Sequence, residues 1–303
     1  MTARIERVIN SQSGLNLAAS LARTAPPWLG YALATVAARW ISSRRHSEAV
    51  KAVRANQWVV GGEKQSPDAL DQTVQSVFRN AARSIYELYH YVQDSEATGR
   101  LFVIDPSAQP LLHRPEFDRR GLVVVGLHLS SFDLALQWIC SNWVKPLVLT
   151  IPNPEGGRQL EFEIRKKTGM NLVPGSVRGL RQAIRHLQQG GLVATGIDRP
   201  LPDSQLTLRF FGQPARLPTH HIYLALKAQV PVRVVISRLE DDGLYHVMIS
   251  PPIEMDSYPD REQELVTNAE KVLSTAESFI RQSPQQWVIT LPVWPEAIDR
   301  VPY

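Results

Sequence analysis

In the segment Gly126-Leu127-His128-Leu129-Ser130-Ser131-Phe132-Asp133, a histidine stands five residues before an aspartate, directly after the apolar run Leu122-Val123-Val124-Val125. An imidazole titrates near neutral pH, so a histidine oriented by a carboxylate can serve as a general base. If the chain turns into a helix near Ser130, the Asp133 carboxylate folds back one turn and holds one ring nitrogen of His128. The other nitrogen then takes a proton from a hydroxyl or thiol. Backbone N–H groups at the start of that helix would face an oxyanion. Ser130 and Ser131 are expected to cap the helix rather than act as nucleophiles. No G-x-S-x-G elbow, the mark of an α/β-hydrolase, occurs in the chain.

A second polar group follows an apolar run at Val193-Ala194-Thr195-Gly196-Ile197-Asp198. Open α/β sheets bind ligands outside the carboxyl ends of their strands, so His128 and Asp198 are expected to face one cleft. Asp198 has an alternative role as a loop cap or a partner of Arg199. Arg165 and Arg199 carry guanidinium groups suited to phosphate, and the alternative for Arg165 is a solvated helix face. Trp138, Trp143 and Phe162 either line an apolar channel or belong to the core. His220-His221 point apart on a helix with no second ligand cluster, so no metal is expected. The single cysteine, Cys140, reads as a small buried hydrophobe and implies a reducing compartment.

The elements that must position these groups alternate. Strands are expected at Leu122–Leu127, Pro146–Ile151, Leu192–Ile197, Val232–Ser237 and Tyr245–Ile249. Helices are expected at Phe132–Trp143, Gln159–Thr168, Val177–Gln189, His220–Lys227 and Arg261–Arg281. Several strands are continuous β-branched runs, as when both faces of a sheet are covered. The fold class is therefore α/β: a single domain, residues 63–303, with a central, mainly parallel sheet flanked by helices. Before the alternation, Ser66-Pro67 starts a long amphipathic helix reaching Val92. Gly61-Gly62 is read as a hinge to an N-terminal helical arm, residues 1–62.

That arm is basic. Residues 1–60 hold eight Lys/Arg against two acids, which with a whole-chain charge of +4 leaves the remainder at −2. Within it, Thr24–Ala38 is an uncharged stretch of 15 residues containing Trp28, Tyr31 and Pro26-Pro27. A bilayer crossing needs about 20 apolar residues, so this stretch is too short to span. An apolar face with Trp and Tyr beside Arg and Lys fits a helix lying on an anionic membrane surface. The alternative is a helix pair packed on the domain. No signal peptide and no nucleic-acid motif are found, and no nucleic-acid partner is expected.

The His128-x4-Asp133 block and those after it resemble the glycerolipid acyltransferase superfamily. Arg165-Lys166-Lys167-Thr168-Gly169 is similar to its R-x3-G block, and Arg178-Gly179-Leu180 with Leu187-Gln188-Gln189-Gly190 to its R-x-L…L-x2-G helix. Gly196-Ile197-Asp198-Arg199 and Phe210-Phe211-Gly212-Gln213-Pro214-Ala215 are similar to its D-[RQ]…F-F-G-x-x-A segment. Gln286-Trp287 and Trp294 resemble its C-terminal tryptophan pattern. The order points to the branch of lipid A late acyltransferases and phosphatidylinositol mannoside acyltransferases. Asp133 stands where the lipid A enzymes usually carry Glu, and His220 follows Pro218-Thr219 where Gly is common.

The resemblance implies a peripheral acyltransferase on the cytoplasmic face of the inner membrane. It would move a fatty acyl chain from acyl-CoA or acyl carrier protein to a hydroxyl of a glycolipid or phospholipid, with no cofactor. His128 would be the base and Asp133 its orienter, with Arg165, Arg178, Asp198 and Arg199 binding substrate. A non-catalytic lipid-binding scaffold and a thioesterase are the alternatives.

Overall fold

A computed structural model of the chain describes residues 19–112, 120–150 and 157–303. Its strands are β1 (Phe102–Ile104), β2 (Leu122–Gly126), β3 (Leu147–Thr150), β4 (Asn171–Pro174), β5 (Leu192–Gly196), β6 (Leu208–Phe210), β7 (Gln213–Ala215), β8 (Val232–Leu239) and β9 (Tyr245–Ile249). The helices that matter here are α1 (Pro27–Ser42), α2 (Glu48–Val60), α3 (Pro67–Tyr91), α4 (Ser95–Gly99), α5 (Gln109–Leu112), α6 (Phe132–Asn142), α7 (Gly157–Lys167), α8 (Val177–Gln188), α9 (His220–Ala228) and α10 (Arg261–Gln282). Seven strands form one sheet in the order β1-β9-β8-β2-β5-β3-β4, and β6-β7 is a separate hairpin. β8 and β9 pair antiparallel; every other pairing in the large sheet is parallel.

The sheet is covered on both faces because β2 is apolar at every position and its neighbours β5 and β8 are largely so. Successive side chains alternate sides. Val123, Val193 and Val234 thus pack with Ile222 and Leu224 of α9 and Val272 and Leu273 of α10. Leu122 packs on the other face with Leu134, Ala135 and Ile139 of α6. The fold is α/β with a mainly parallel sheet, as the alternation predicts. β1, β4 and the β6-β7 hairpin have no such signal. β4 is an edge strand of mixed polarity ending in Pro174, and the others are three residues each. Ile151, the expected end of the third strand, lies outside the described residues, as do residues 1–18 of the arm.

The division at residue 62 needs correction. Gly61-Gly62 does turn the chain, but α2 before it is built into the domain. Ala55, Trp58, Val59 and Val60 share the main core with the sheet. Arg54, 2% exposed, donates to the Pro302 carbonyl at 2.7 Å, pairs with Asp71 and lies over the Tyr303 ring. Asn56 clamps the C-terminal segment, donating to the Leu291 carbonyl at 2.8 Å and accepting from Val293 N–H at 3.0 Å. Part of the arm's basicity is therefore structural: Arg54 is buried and Arg45 pairs with Asp71.

α1 packs on the domain by one of its faces, the alternative expected for the apolar stretch. One face, with Gly30, Ala34 and Ala38 buried, packs on α3. A Cβ at Gly30 would lie 2.2 Å from the Tyr86 ring, so only glycine permits this approach. The opposite face leaves Trp28, Leu33, Val36 and Trp40 exposed. Among the described residues no helix is long and apolar enough to cross a membrane.

Candidate active site

β2 and β5 are adjacent and parallel, with Gly126 in register with Gly196. His128 and Asp198 each stand two residues beyond that pair, so the register brings side by side two groups that are 70 residues apart in sequence. The Asp198 Oδ1 accepts from the His128 ring Nδ1 at 2.7 Å. Its Oδ2 accepts from the His128 backbone N–H and from the Trp287 indole N–H, each at 2.8 Å. A Cβ on Gly196 would lie 3.6 Å from His128 Cε1, in ordinary contact with the ring. Phe132 packs edge-on against the ring, centroids 4.6 Å apart.

Asp198 is fully buried, and burial works against its charge. The His128 ring, the Trp287 indole and the His128 N–H outweigh that and hold the carboxyl below the ordinary carboxylate range. An ionised Asp198 requires a proton on Nδ1 of the neutral ring, which places the basic lone pair on Nε2. Nε2 makes no hydrogen bond with the described residues.

The expected contact between Asp133 and His128 does not form. Asp133, in the first turn of α6, accepts from Arg165 Nε at 2.9 Å and from the Gln137 amide at 3.3 Å. Its Oδ2 is buried without a hydrogen-bond partner. The sequence argument relied on a local turn of the chain. A strand neighbour in register supplies the closer carboxylate instead. Arg165 is correspondingly not a solvated helix residue, since its guanidinium lies half-buried against Asp133.

His128 and Arg165 border an apolar cavity of about 180 Å³ between α6 and the sheet. Leu136, Ile139 and Cys140 of α6 line one side, and Val124, Val148 and Ala194 of the strands the other. A Cβ on Gly126, also at the wall, would meet nothing within 4 Å. The chamber is closed to polar groups except near His128, Arg165, Thr195 and Ser237. An imidazole poised at the mouth of an apolar pocket is an arrangement for proton transfer beside a bound hydrocarbon.

Residues 11–295 match the family model described as bacterial lipid A biosynthesis acyltransferase. The chain belongs to that family. It is an acyltransferase of the glycerolipid acyltransferase superfamily. Among solved structures it is similar to the 1-acyl-sn-glycerophosphate (LPA) acyltransferase PlsC from Thermotoga maritima, at 18% identity over 82% of this chain and 97% of that one, with a TM-score of 0.38. No curated protein matches the chain.

The other motif residues of this acyltransferase divide. Arg199 follows Asp198 and is half-buried at the end of β5. Arg178 is not at this site. It is exposed on α8 and lines a separate polar groove with Gln182, Arg185 and His186. α8 begins past the carboxyl end of β4, at the far edge of the sheet, so the motif arginine sits away from His128. Trp138 and Trp143 do not line the cavity; they pack on each other, and Trp138 stacks on Phe102. Phe162 is half-buried on α7 and does not line it either. Cys140 does, and burial pushes its thiol up to about 12, so it is an inert wall residue.

Ser131 makes no capping bond. Ser130 adopts a left-handed backbone at φ +55° and its N–H donates to the Gln286 carbonyl at 2.8 Å. His220 shares a 2.7 Å hydrogen bond with Thr195, and burial pushes its imidazole down to about 4. His221 is fully buried with neither ring nitrogen hydrogen-bonded among the described residues, and burial, then the neighbouring His220, lowers it well below its ordinary value. Sequence reasoning missed Glu87, which reaches Ser131 from α3, and the contact of Trp287 with Asp198. The tryptophan was visible in the C-terminal motif; Glu87 carried no signal beyond being a charge on an amphipathic helix.

Proposed function

We propose that this acyltransferase moves a fatty acyl chain from an acyl thioester, acyl-CoA or acyl carrier protein, to a hydroxyl of a glycolipid or phospholipid, with His128 as general base. The observation that carries the reading is the His128 ring, held by Asp198 on one nitrogen and, among the described residues, unpartnered on the other, in the wall of an apolar cavity. The acceptor hydroxyl gives its proton to Nε2 as its oxygen attacks the thioester carbon. A C–O bond forms, and the oxyanion meets the first N–H groups of α6. Collapse breaks the C–S bond, and the imidazolium returns the proton to the departing thiolate. The acceptor supplies the nucleophile, so no acyl-enzyme forms. In this scheme Asp198 takes the orienting role first assigned to Asp133, fixing the tautomer and stabilising the imidazolium. Asp133 instead holds Arg165 over the cavity mouth, where a guanidinium suits a phosphate of donor or acceptor.

The acceptor is membrane-borne, and α1 offers the means to reach it. Trp28 and Val36 are 72% and 62% exposed on its outer face, and Arg44 stacks on Trp40 at its end. An apolar helix face flanked by Arg39 and Arg44 fits the headgroup region of an anionic bilayer. On this reading the enzyme is peripheral, on the cytoplasmic face of the inner membrane.

His128→Ala is expected to lower thiol release from acyl-CoA in the presence of a lipid acceptor by about 10²–10⁴-fold with the fold intact. Undiminished turnover would refute the assignment. Equal thiol release without an acceptor would make the protein a thioesterase, and lipid binding with no thiol release a scaffold.

A further inference from the structure

Glu87 on α3 is fully buried, and its carboxylate gathers donors from four parts of the chain. Oε1 accepts from Arg83 Nε at 2.8 Å and from the Tyr31 hydroxyl of α1 at 3.2 Å. Oε2 accepts from the Tyr245 hydroxyl of β9 at 2.6 Å and from the Ser131 hydroxyl. Burial, with Glu87 adding to it, lifts both tyrosine hydroxyls above the usual phenol range, so both remain donors. A buried carboxylate stabilises a fold less than an apolar residue of the same shape would, so a fully paired one points to a demand for one specific arrangement.

The Ser131 bond is the one that reaches the site. Ser131 directly precedes α6, and beside it Ser130 holds φ +55°. A non-glycine residue there is strained, and it persists only where the surroundings over-determine it. Two holds come from the C-terminal segment: Ser130 N–H to the Gln286 carbonyl at 2.8 Å, and Val288 N–H to the His128 carbonyl at 2.9 Å. A third is Asp198, which accepts from the His128 N–H at 2.8 Å, and a fourth is Glu87, which connects the turn to α3 and, through Tyr31, to α1.

We propose that Glu87 is a positioning residue for acyl transfer. It fixes the turn 128–132 and so aims the His128 ring and the first N–H groups of α6 at the thioester carbonyl. The proposal rests on the acyl-transfer reading above.

The test compares Ser131→Ala and Glu87→Gln in the full chain, with palmitoyl-CoA as donor and a bacterial lipid extract as acceptor. Val272→Ala, a truncation in the α10 core chosen for a similar loss of Tm, is the control. Both variants should lose about tenfold or more in kcat, with KM for palmitoyl-CoA changed less than about threefold. Amide exchange at Leu129 to Phe132 should speed up about tenfold in Ser131→Ala, while the control keeps its kcat per folded molecule and its exchange in the turn. Ser131→Ala with kcat and turn exchange at the control's level would overturn the proposal, even if Glu87→Gln fails to fold. His128→Ala in the same assay separates the two failures. If it retains turnover, the acyl-transfer reading falls. If it is inactive while Ser131→Ala matches the control, only the role of Glu87 falls.

Discussion

Asp198 accepts from two N–H groups of His128 and one of Trp287, and an amide in its place cannot accept from all of them. Asp198→Asn turns an NH₂ toward a donor and favours the tautomer with the proton on Nε2, where the base is needed. By analogy with the orienting aspartate of serine proteases, kcat should fall about 10³–10⁴-fold. Asp133→Asn leaves the His128 ring bonded as before and should reduce kcat much less, acting through Arg165 on KM for the charged substrate. Steady-state kinetics of the two variants decides this; an equal loss of kcat in both would return the orienting role to Asp133. The sequence made His128 legible because a titratable side chain follows an apolar strand. Which carboxylate it meets was not legible. Asp133 is five residues away along the chain and Asp198 is 70. Only the β2–β5 register makes the distant one the neighbour.

At the scale of elements, α1 illustrates a helix with two apolar faces and two destinations. Gly30, Ala34 and Ala38 are small enough to seat one face on α3, where the Tyr31 and Tyr86 rings meet edge to face at 5.4 Å. Trp28, Leu33 and Val36 are then left more than half exposed among the described residues. Replacing Trp28 and Val36 together by serine removes two large groups from the proposed bilayer contact, each worth about 1.5–3 kcal/mol when fully buried. Affinity for vesicles containing anionic phospholipid should drop at least about tenfold, read by sedimentation, while the Tm of the free protein stays unchanged. Unaltered vesicle binding would show that another surface carries the contact. The length of the apolar stretch and its basic flank were readable in sequence. That the next helix, α2, is core was not, because its Arg54, Asn56 and Gln57 look like surface residues until the C-terminal segment arrives to receive their hydrogen bonds.

The whole molecule carries a pH dependence from two histidines that the proposed chemistry does not use. Burial holds His220 down to about 4 and His221 well below its ordinary value, so both are neutral in the folded state at neutral pH. In the unfolded chain each takes up a proton near its ordinary value of about 6.5. The unfolded state then binds more protons, and stability falls as pH drops from about 6.5 toward 4. Urea midpoints between pH 7 and 4.5 should decline accordingly, and His220→Asn should flatten the slope; a constant midpoint would contradict the assignment. What the sequence determined by itself was the alternation of the central strands with their flanking helices, the fold class and the family, because these depend on local periodicity and on motifs contiguous in the chain. The tertiary structure alone decided the partner of His128, the separation of Arg178 from the site, the two-sided placement of α1 and the gathering of four donors on Glu87. Each of those depends on which distant segments the sheet order sets side by side, and no local pattern encodes that order.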